Sequence, residues 1–354
     1  MSDGRDLLTH SRLQALKTCA RKHYLQYELG IRPLKTSAPL RMGDVFHKGK
    51  EYLRKGVAPE DALMQALKVY EAVPADIKPC DWAIEREKCF RLLHGYMWYW
   101  KDDGLKFVET EKVYTLPIIN PDTNRPALKF ANGGKIDGIV QLPDGRLAVD
   151  ETKTAGKDIS PESDYWLKLR IDEQVTRYFY SARKLGYDIA CIHYDVIRKP
   201  TIEPKQIPLL DENNFKIVLD ANGQRVMNKN GTPKQSADKE MGWVLQSRIE
   251  TAQEYGDRLT ADIGERPAFY FQRKELQRTD KDLEDFEHDL WQQQQQMSEL
   301  RRTGRWFKNT GACIGFGRCA YADLCFNGFT GSEPLPPHYA KFDNVNPELD
   351  SSDE

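Results

Sequence analysis

Residues 134–153 restrict what this chain can fold into more than any other stretch. Ile136-Asp137-Gly138-Ile139-Val140 reads as a strand, Pro143-Asp144-Gly145 as a turn, and Arg146-Leu147-Ala148-Val149 as the start of a return strand. A glycine-containing turn between two β-branched runs is a hairpin signal. Side chains alternate faces along a strand, so Glu151 and Lys153 share a face while Asp150 points the other way. The hairpin therefore gathers Asp137, a second acid and a lysine. Two carboxylates beside a lysine suit a site that holds a hard divalent cation and prepares a water for attack on a phosphodiester. The same charges would also suit a solvated hairpin face.

The rest of the chain sets the frame for that hairpin. Its 354 residues fit one large or two modest domains, and 40% hydrophobic with 30% charged residues suits a globular protein with a sizeable core. No apolar run approaches the roughly 18 residues of a membrane span. Met1-Ser2-Asp3-Gly4-Arg5-Asp6 lacks the basic and apolar regions of a signal peptide, so a cytoplasmic location is expected. A formal net charge of −2 excludes a global basic field but not a local basic groove. The charge is skewed: the chain ends Glu348-Leu349-Asp350-Ser351-Ser352-Asp353-Glu354, and residues 331–354 are expected to form an acidic, disordered tail.

Periodicity and capping signals predict a helix over 9–29, opened by Thr9 or Ser11, a second over 43–56 carrying His47, and further helices over 60–73, 82–102, 169–185 and 280–301. The aromatics of the 82–102 helix read as core. Strands are expected over 107–116, along the hairpin, over 190–197 and over 268–272. This pattern predicts an α/β fold, a small mixed sheet with helices before and after it. Five regions are expected: a helical N-terminal region (1–105), a core (106–200), a loop-rich insertion (201–245), a C-terminal strand, helix and cysteine-rich loop (246–330), and the tail.

Seven cysteines, an odd number in a chain without a signal peptide, argue against a disulfide framework. Cys313, Cys319 and Cys325 are spaced C-x5-C-x5-C in a glycine-rich loop. Three thiolates usually want a fourth ligand, and Cys19 is the best candidate, since Cys80, Cys89 and Cys191 sit in runs that read as helix or strand interiors. Four thiolates hold either an iron–sulfur cluster or a structural zinc. The spacing lacks the C-x2-C pair usual for zinc ribbons, which favours iron–sulfur.

Four short motifs then recur in a fixed order: Gly43-Asp44-Val45-Phe46-His47, Gly134-Lys135-Ile136-Asp137, Val149-Asp150-Glu151-Thr152-Lys153-Thr154, and Gln174-Val175-Thr176-Arg177-Tyr178. Together with Cys19 far upstream of the C-terminal trio, they resemble the PD-(D/E)XK nucleases of the RecB type. The likeness is to the iron–sulfur branch that includes the AddB nuclease domain, the CRISPR-adaptation nucleases and phage-encoded relatives, and it spans about residues 9–326. The resemblance implies a restriction-endonuclease-like core with a helical N-terminal extension and a C-terminal iron–sulfur loop. It implies His47, Asp137 and Glu151 as ligands of Mg²⁺ or Mn²⁺, with the Thr152 carbonyl as a further ligand, Lys153 as the catalytic lysine, and Gln174 and Tyr178 positioning the substrate strand. It implies a supporting acid on the preceding strand, where Glu109 and Glu111 are expected to share a face and Glu111 is preferred. It also implies a [4Fe-4S] cluster on Cys19, Cys313, Cys319 and Cys325 that clamps the two ends of the chain.

The expected activity is therefore a metal-dependent DNA exonuclease acting on single-stranded or resected ends, in recombination, repair or phage DNA metabolism. Arg170, Arg177, Arg183 and Lys184 are candidates for a phosphate track. No G-x4-G-K-[ST] loop is present, so unwinding would fall to a helicase partner. Two other readings stand beside this one: a catalytically silent DNA-binding or assembly module of the same fold, and a zinc-stapled scaffold.

Overall fold

The computed structural model describes residues 4–34, 37–315 and 317–350. The chain opens with β1 (Asp6–Leu8) and α1 (His10–Thr18), capped by Thr9, whose hydroxyl accepts the Arg12 N–H. The single helix expected over 9–29 is interrupted. Cys19 is extended, and the chain resumes as α2 (Ala20–His23) and a wider turn over 24–28 before β2 (Ile31–Pro33). That break lets Cys19 leave the helix surface. Helices α3 (Ala38–Arg54), α4 (Pro59–Ala66) and α5 (Pro79–Tyr99) follow, each with proline in its first turn, where the missing N–H costs no hydrogen bond. The aromatics of α5 are core in part, as expected: Trp82 and Tyr96 are buried with Phe46, Leu92 and Phe271, whereas Trp98 is exposed.

The sheet is built from β3 (Lys106–Ile119), β4 (Pro126–Gln141) and β5 (Leu147–Ala155), then, after α6 (Asp164–Leu169) and α7 (Glu173–Lys184), β6 (Ile189–Arg198). The insertion contributes only short pairs, β7 (Gln206–Pro208) with β10 (Ser247–Ile249) and β8 (Val218–Leu219) with β9 (Val244–Leu245). In its turns the Asp211 and Asp220 side chains accept N–H groups two and four residues on. Next come α8 (Ala252–Glu265), α9 (Pro267–Tyr270), β11 (Phe271–Leu276) and α10 (Asp280–Thr303). The strand expected from 268 thus begins three residues later, because Pro267 starts a helical turn first. Last are α11 (Ala322–Phe326) and β12 (Tyr339–Lys341).

The central sheet runs β1-β4-β5-β6-β11, with β3 also paired to β4. It is mixed: β4–β5 and β6–β11 are antiparallel, β1–β4 and β5–β6 parallel. Helices α3, α5 and α8 cover one face, and α6 and α7 the other, where Trp166, Val175 and Phe179 bury against Ile136, Val149 and Ile192. The core sheet is not confined to residues 106–200, since β1 and β11 come from the flanking regions. The expected tail also differs. Residues 339–341 pair with β2, and Pro347–Leu349 form a helical turn, so the acidic segment is ordered up to Asp350. Buried Tyr339 supplies the reason by packing with Leu25, Ile31 and Phe329; residues 351–354 lie outside the described residues. Among the described residues, no helix is long and apolar enough to cross a membrane.

Candidate active site

The site forms where a strand pairing stops. Along one edge β4 pairs with β1 at residues 130–132 and with β5 at 138–141. Residues 133–137 between these have β3 on the other edge and no strand on this one. Beyond Asp150, β5 pairs only with β6, so the Thr152 N–H has no β4 carbonyl to meet. The Asp137 carboxylate takes it instead, at 3.3 Å. The same Oδ2 lies 3.3 Å from His47 Nδ1 on α3. Glu151 and Lys153 share a face, as alternation requires, and form an ion pair. A cleft of about 490 Å³ opens here, lined by His47, Glu111, Asp137, Lys153, Gln174 and Tyr178 among others. Glu151 lies beneath it, 1% exposed.

The electrostatics separate the two acids. Burial would raise Asp137, but His47, Arg54 and Lys153 outweigh it and hold the carboxyl well below its usual range. Burial pushes Glu151 up to about 7, Lys153 working against this and Asp137 with it. Glu151 Oε1 is held by the Lys153 ammonium, whereas Oε2 has no hydrogen-bond partner. A buried carboxylate left in that state is one that a cation would satisfy. Burial also acts against the Lys153 ammonium, yet Glu151 and Asp137 raise its pKa, so it keeps its proton. On α7, Gln174 donates its amide to the Tyr178 hydroxyl at 3.0 Å, and burial holds that phenol neutral.

Glu111 reaches the cleft by a strained backbone. It has φ 53° opposite Asp137, a left-handed conformation that costs a non-glycine residue about 1–3 kcal/mol. This turn, with a register shift at Phe107–Glu109, breaks the expected alternation. Glu111 pairs with Lys135 at 2.6 Å, whereas Glu109 pairs with Lys112 at 3.4 Å and lines no part of the cleft. The other face of β5 is occupied too. Asp150 is buried and bonded to Arg54 and to His193 Nδ1 (2.8 Å), with Lys50 at 3.5 Å. Arg54 also donates to the Asp137 carbonyl (3.1 Å) and to Thr152 Oγ1 (3.3 Å), so this arginine ties the backbone of β4 to side chains of β5. Arg54→Ala should destabilise the fold by roughly 3–5 kcal/mol, because it takes from buried Asp150 its two-nitrogen guanidinium partner and leaves only His193 and the more distant Lys50. Urea denaturation measures this, and a loss under about 1 kcal/mol would show that Lys50 and His193 suffice.

The PD-(D/E)XK nuclease superfamily model matches residues 7–326, which takes in the sheet, the cleft and the cysteine loop. The chain belongs to the PD-(D/E)XK nuclease superfamily. Members of this superfamily are phosphodiester-cleaving nucleases that typically use Mg²⁺ or Mn²⁺. No curated protein matches the chain.

Among the described residues of this nuclease, no three His, Cys, Asp or Glu groups stand close enough to form a ready-made metal-ligand set. The donor chemistry of the cleft nonetheless fits a divalent cation: Asp137 is ionised, Glu151 Oε2 has no partner, and His47 lies beside Asp137. This has a pH consequence. Folding raises Glu151 above its ordinary 4.5, so metal-free stability from this group is full below about 4.5 and is lost as pH rises through about 7. A cation needs the ionised form, so the rise in Tm on adding Mn²⁺ should be larger at pH 8 than at pH 6. In Glu151→Gln that difference should shrink; an unchanged difference, read by differential scanning fluorimetry, would remove Glu151 from the metal site.

The four candidate cluster cysteines converge as well. Cys19, Cys313, Cys319 and Cys325 line one cavity of about 910 Å³ and are all free thiols. Cys19 Sγ accepts the Asn309 N–H at 3.3 Å, and the Cys319 N–H bonds the Cys313 carbonyl at 2.8 Å. Cys89 and Cys191 are buried in α5 and β6, whereas Cys80 is exposed at the start of α5 rather than interior.

The expected phosphate track loses Arg177, while Arg170 stays exposed. Arg177 is fully buried, donating to the Leu8 carbonyl, Asn132 and Glu173. Arg183 and Lys184 pair with Asp280 and Glu287. Helix α7 turns that side inward against α10, whose Phe286 lies under the Arg177 guanidinium. Sequence reasoning missed Glu51, one turn after His47 and also lining the cleft, although the i,i+4 spacing could have found it. It also missed Thr9, His10 and Lys135 in the same cleft.

Proposed function

We propose that the protein is a metal-dependent deoxyribonuclease that works from single-stranded or resected DNA ends. The observation carrying this is the buried Glu151 carboxylate, whose Oε2 lacks a hydrogen-bond partner, between ionised Asp137 and protonated Lys153 beside an open cleft. Asp137, Glu151 and His47 would hold the cation, with the Thr152 backbone adjacent. When bound, it would lower the pKa of a water and offset charge on the phosphate. Because Lys153 keeps its proton, its role is to donate a hydrogen bond and positive charge to the phosphoryl oxygens as they gain charge, rather than to act as a base. Gln174 fixes the Tyr178 phenol, leaving its O–H to hold the scissile strand. Glu111, with Lys135 as its partner, serves as the supporting acid at the cleft edge.

The four thiols would hold a [4Fe-4S] cluster with a structural role, joining the end of α1 to the C-terminal loop. The support is their convergence on one cavity from both ends of the chain, without the remaining three cysteines. End-labelled single- and double-stranded DNA incubated with Mn²⁺ tests the activity. Ladders shortening from one end support the exonuclease reading; internal fragments from covalently closed DNA would replace it with an endonuclease.

A further inference from the structure

The acidic C-terminal segment lies along the catalytic cleft rather than away from it. After β12 pairs with β2, Arg32 donates to the Asn344 carbonyl at 2.6 Å, and the Asn344 amide bonds the Asp350 carboxylate at 2.8 Å. This folds the segment back toward β4, and Pro347 and Glu348 become part of the cleft wall. Two of its contacts are specific. The Glu348 carboxylate accepts the Thr9 hydroxyl at 2.8 Å, at the N-terminus of the nine-residue helix α1. The Asp350 carbonyl accepts Lys135 Nζ at 3.3 Å, the same ammonium that pairs with Glu111.

A helix N-terminus, a threonine hydroxyl and a lysine in one cleft are the groups that hold phosphate oxygens. Here a carboxylate of the chain itself sits at that helix end. The cleft already carries Asp44, Glu51, Glu111 and Asp137 against Lys48, Lys135 and Lys153, so its acids outnumber its lysines without Glu348. Glu348 therefore adds negative charge where a polyanion must approach, and charge balance does not explain it. We propose that Thr9 and Lys135 contact the phosphate backbone of the substrate strand, and that residues 347–350 hold those contacts as a displaceable stand-in until DNA enters. This rests on the nuclease reading of the cleft.

Competition within the chain raises KM and leaves kcat alone. The test compares the full chain with one ended after Asn346, which keeps β12 and its pairing with β2. Both are assayed on end-labelled single-stranded DNA with Mn²⁺. The shortened chain should show KM lower by about fivefold or more, with kcat within about twofold. A synthetic peptide of residues 344–354 should raise its KM again, competitively, and Lys135→Ala in the shortened chain should weaken DNA binding. In the full chain Glu348→Gln should move KM in the same direction as shortening, which keeps the test available if the shortened chain folds poorly. An unchanged KM in both would overturn the proposal, as would a fall in kcat on shortening, which would make the segment a fixed wall of the site. If neither the full nor the shortened chain cleaves, the nuclease reading has failed separately. Anisotropy with labelled single-stranded DNA then decides: equal affinity for the two chains overturns the displacement idea.

Discussion

Lys153→Ala should lower the cleavage rate at saturating Mn²⁺ by about 10²–10³-fold, the usual consequence of removing one donor aimed at developing charge. The size follows from where the lysine sits. Its ammonium is held protonated by Glu151 and Asp137, and it lines the cleft while ion-paired to a carboxylate beneath the surface. Truncation removes the donor and also the charge that lowers Glu151. The Glu151 pKa should therefore rise further, and apparent Mn²⁺ affinity should fall at neutral pH. Lys153→Arg should restore little, because a planar guanidinium does not reproduce a compact point charge. Single-turnover assays across a Mn²⁺ series separate the two effects: the metal-binding part is recovered at high Mn²⁺ and the chemical part is not. Cleavage by Lys153→Ala at the wild-type rate would end the assignment of this lysine, and unchanged cleavage by Glu151→Gln as well would end that of the whole cleft.

What could be read in the sequence was whatever local periodicity controls. The 134–153 hairpin announced itself through its turn residues, and alternation alone separated Glu151 from Asp150, which the structure bears out in the opposed partners of the two acids. His47, Asp137, Lys153, Gln174 and Tyr178 converge on one cleft although they come from separate elements. The failures arose where long-range packing overrides local pattern. Arg177 looked like a solvent-facing cation on a helix, but its face is covered by α10 and by the end of β1. Glu109 and Glu111 should have matched, but a positive φ at Glu111 redirects the strand. No periodicity signals such strain, because it is sustained by the pairing with β4 on either side of Glu111 rather than by the residue itself. The acidic C-terminal segment was misjudged for a related reason: its composition is that of a solvated tail, yet Tyr339 gives it an anchor in a hydrophobic cluster built mostly by distant residues.

The cysteine cavity should produce the second large effect. Protein purified without oxygen is expected to be brown, and Cys313→Ala to be colourless. The mutant should lose at least about 5 kcal/mol of stability, on the order of 10 °C in Tm for a chain of this length. The argument is topological. The end of α1 and the loop after α10 meet at this cavity, where a main-chain hydrogen bond from Arg21 to Phe307 and the packing of Tyr321 and Leu324 with Leu25 join them. With the thiols lining an open cavity and no compact ligand set formed, loading requires the loop over 309–325 to draw in around the cluster. Its ordering should then depend on that cluster. Hydrogen exchange across this loop should slow on reconstitution with iron and sulfide, while exchange in β4 and β5 stays constant, because Arg54 and Asp150 secure that region independently. Zinc found in place of iron, with the same protection, would make the staple a zinc site. A colourless, metal-free protein whose Tm is indifferent to Cys313→Ala would mean that the four thiols share a cavity without sharing a ligand.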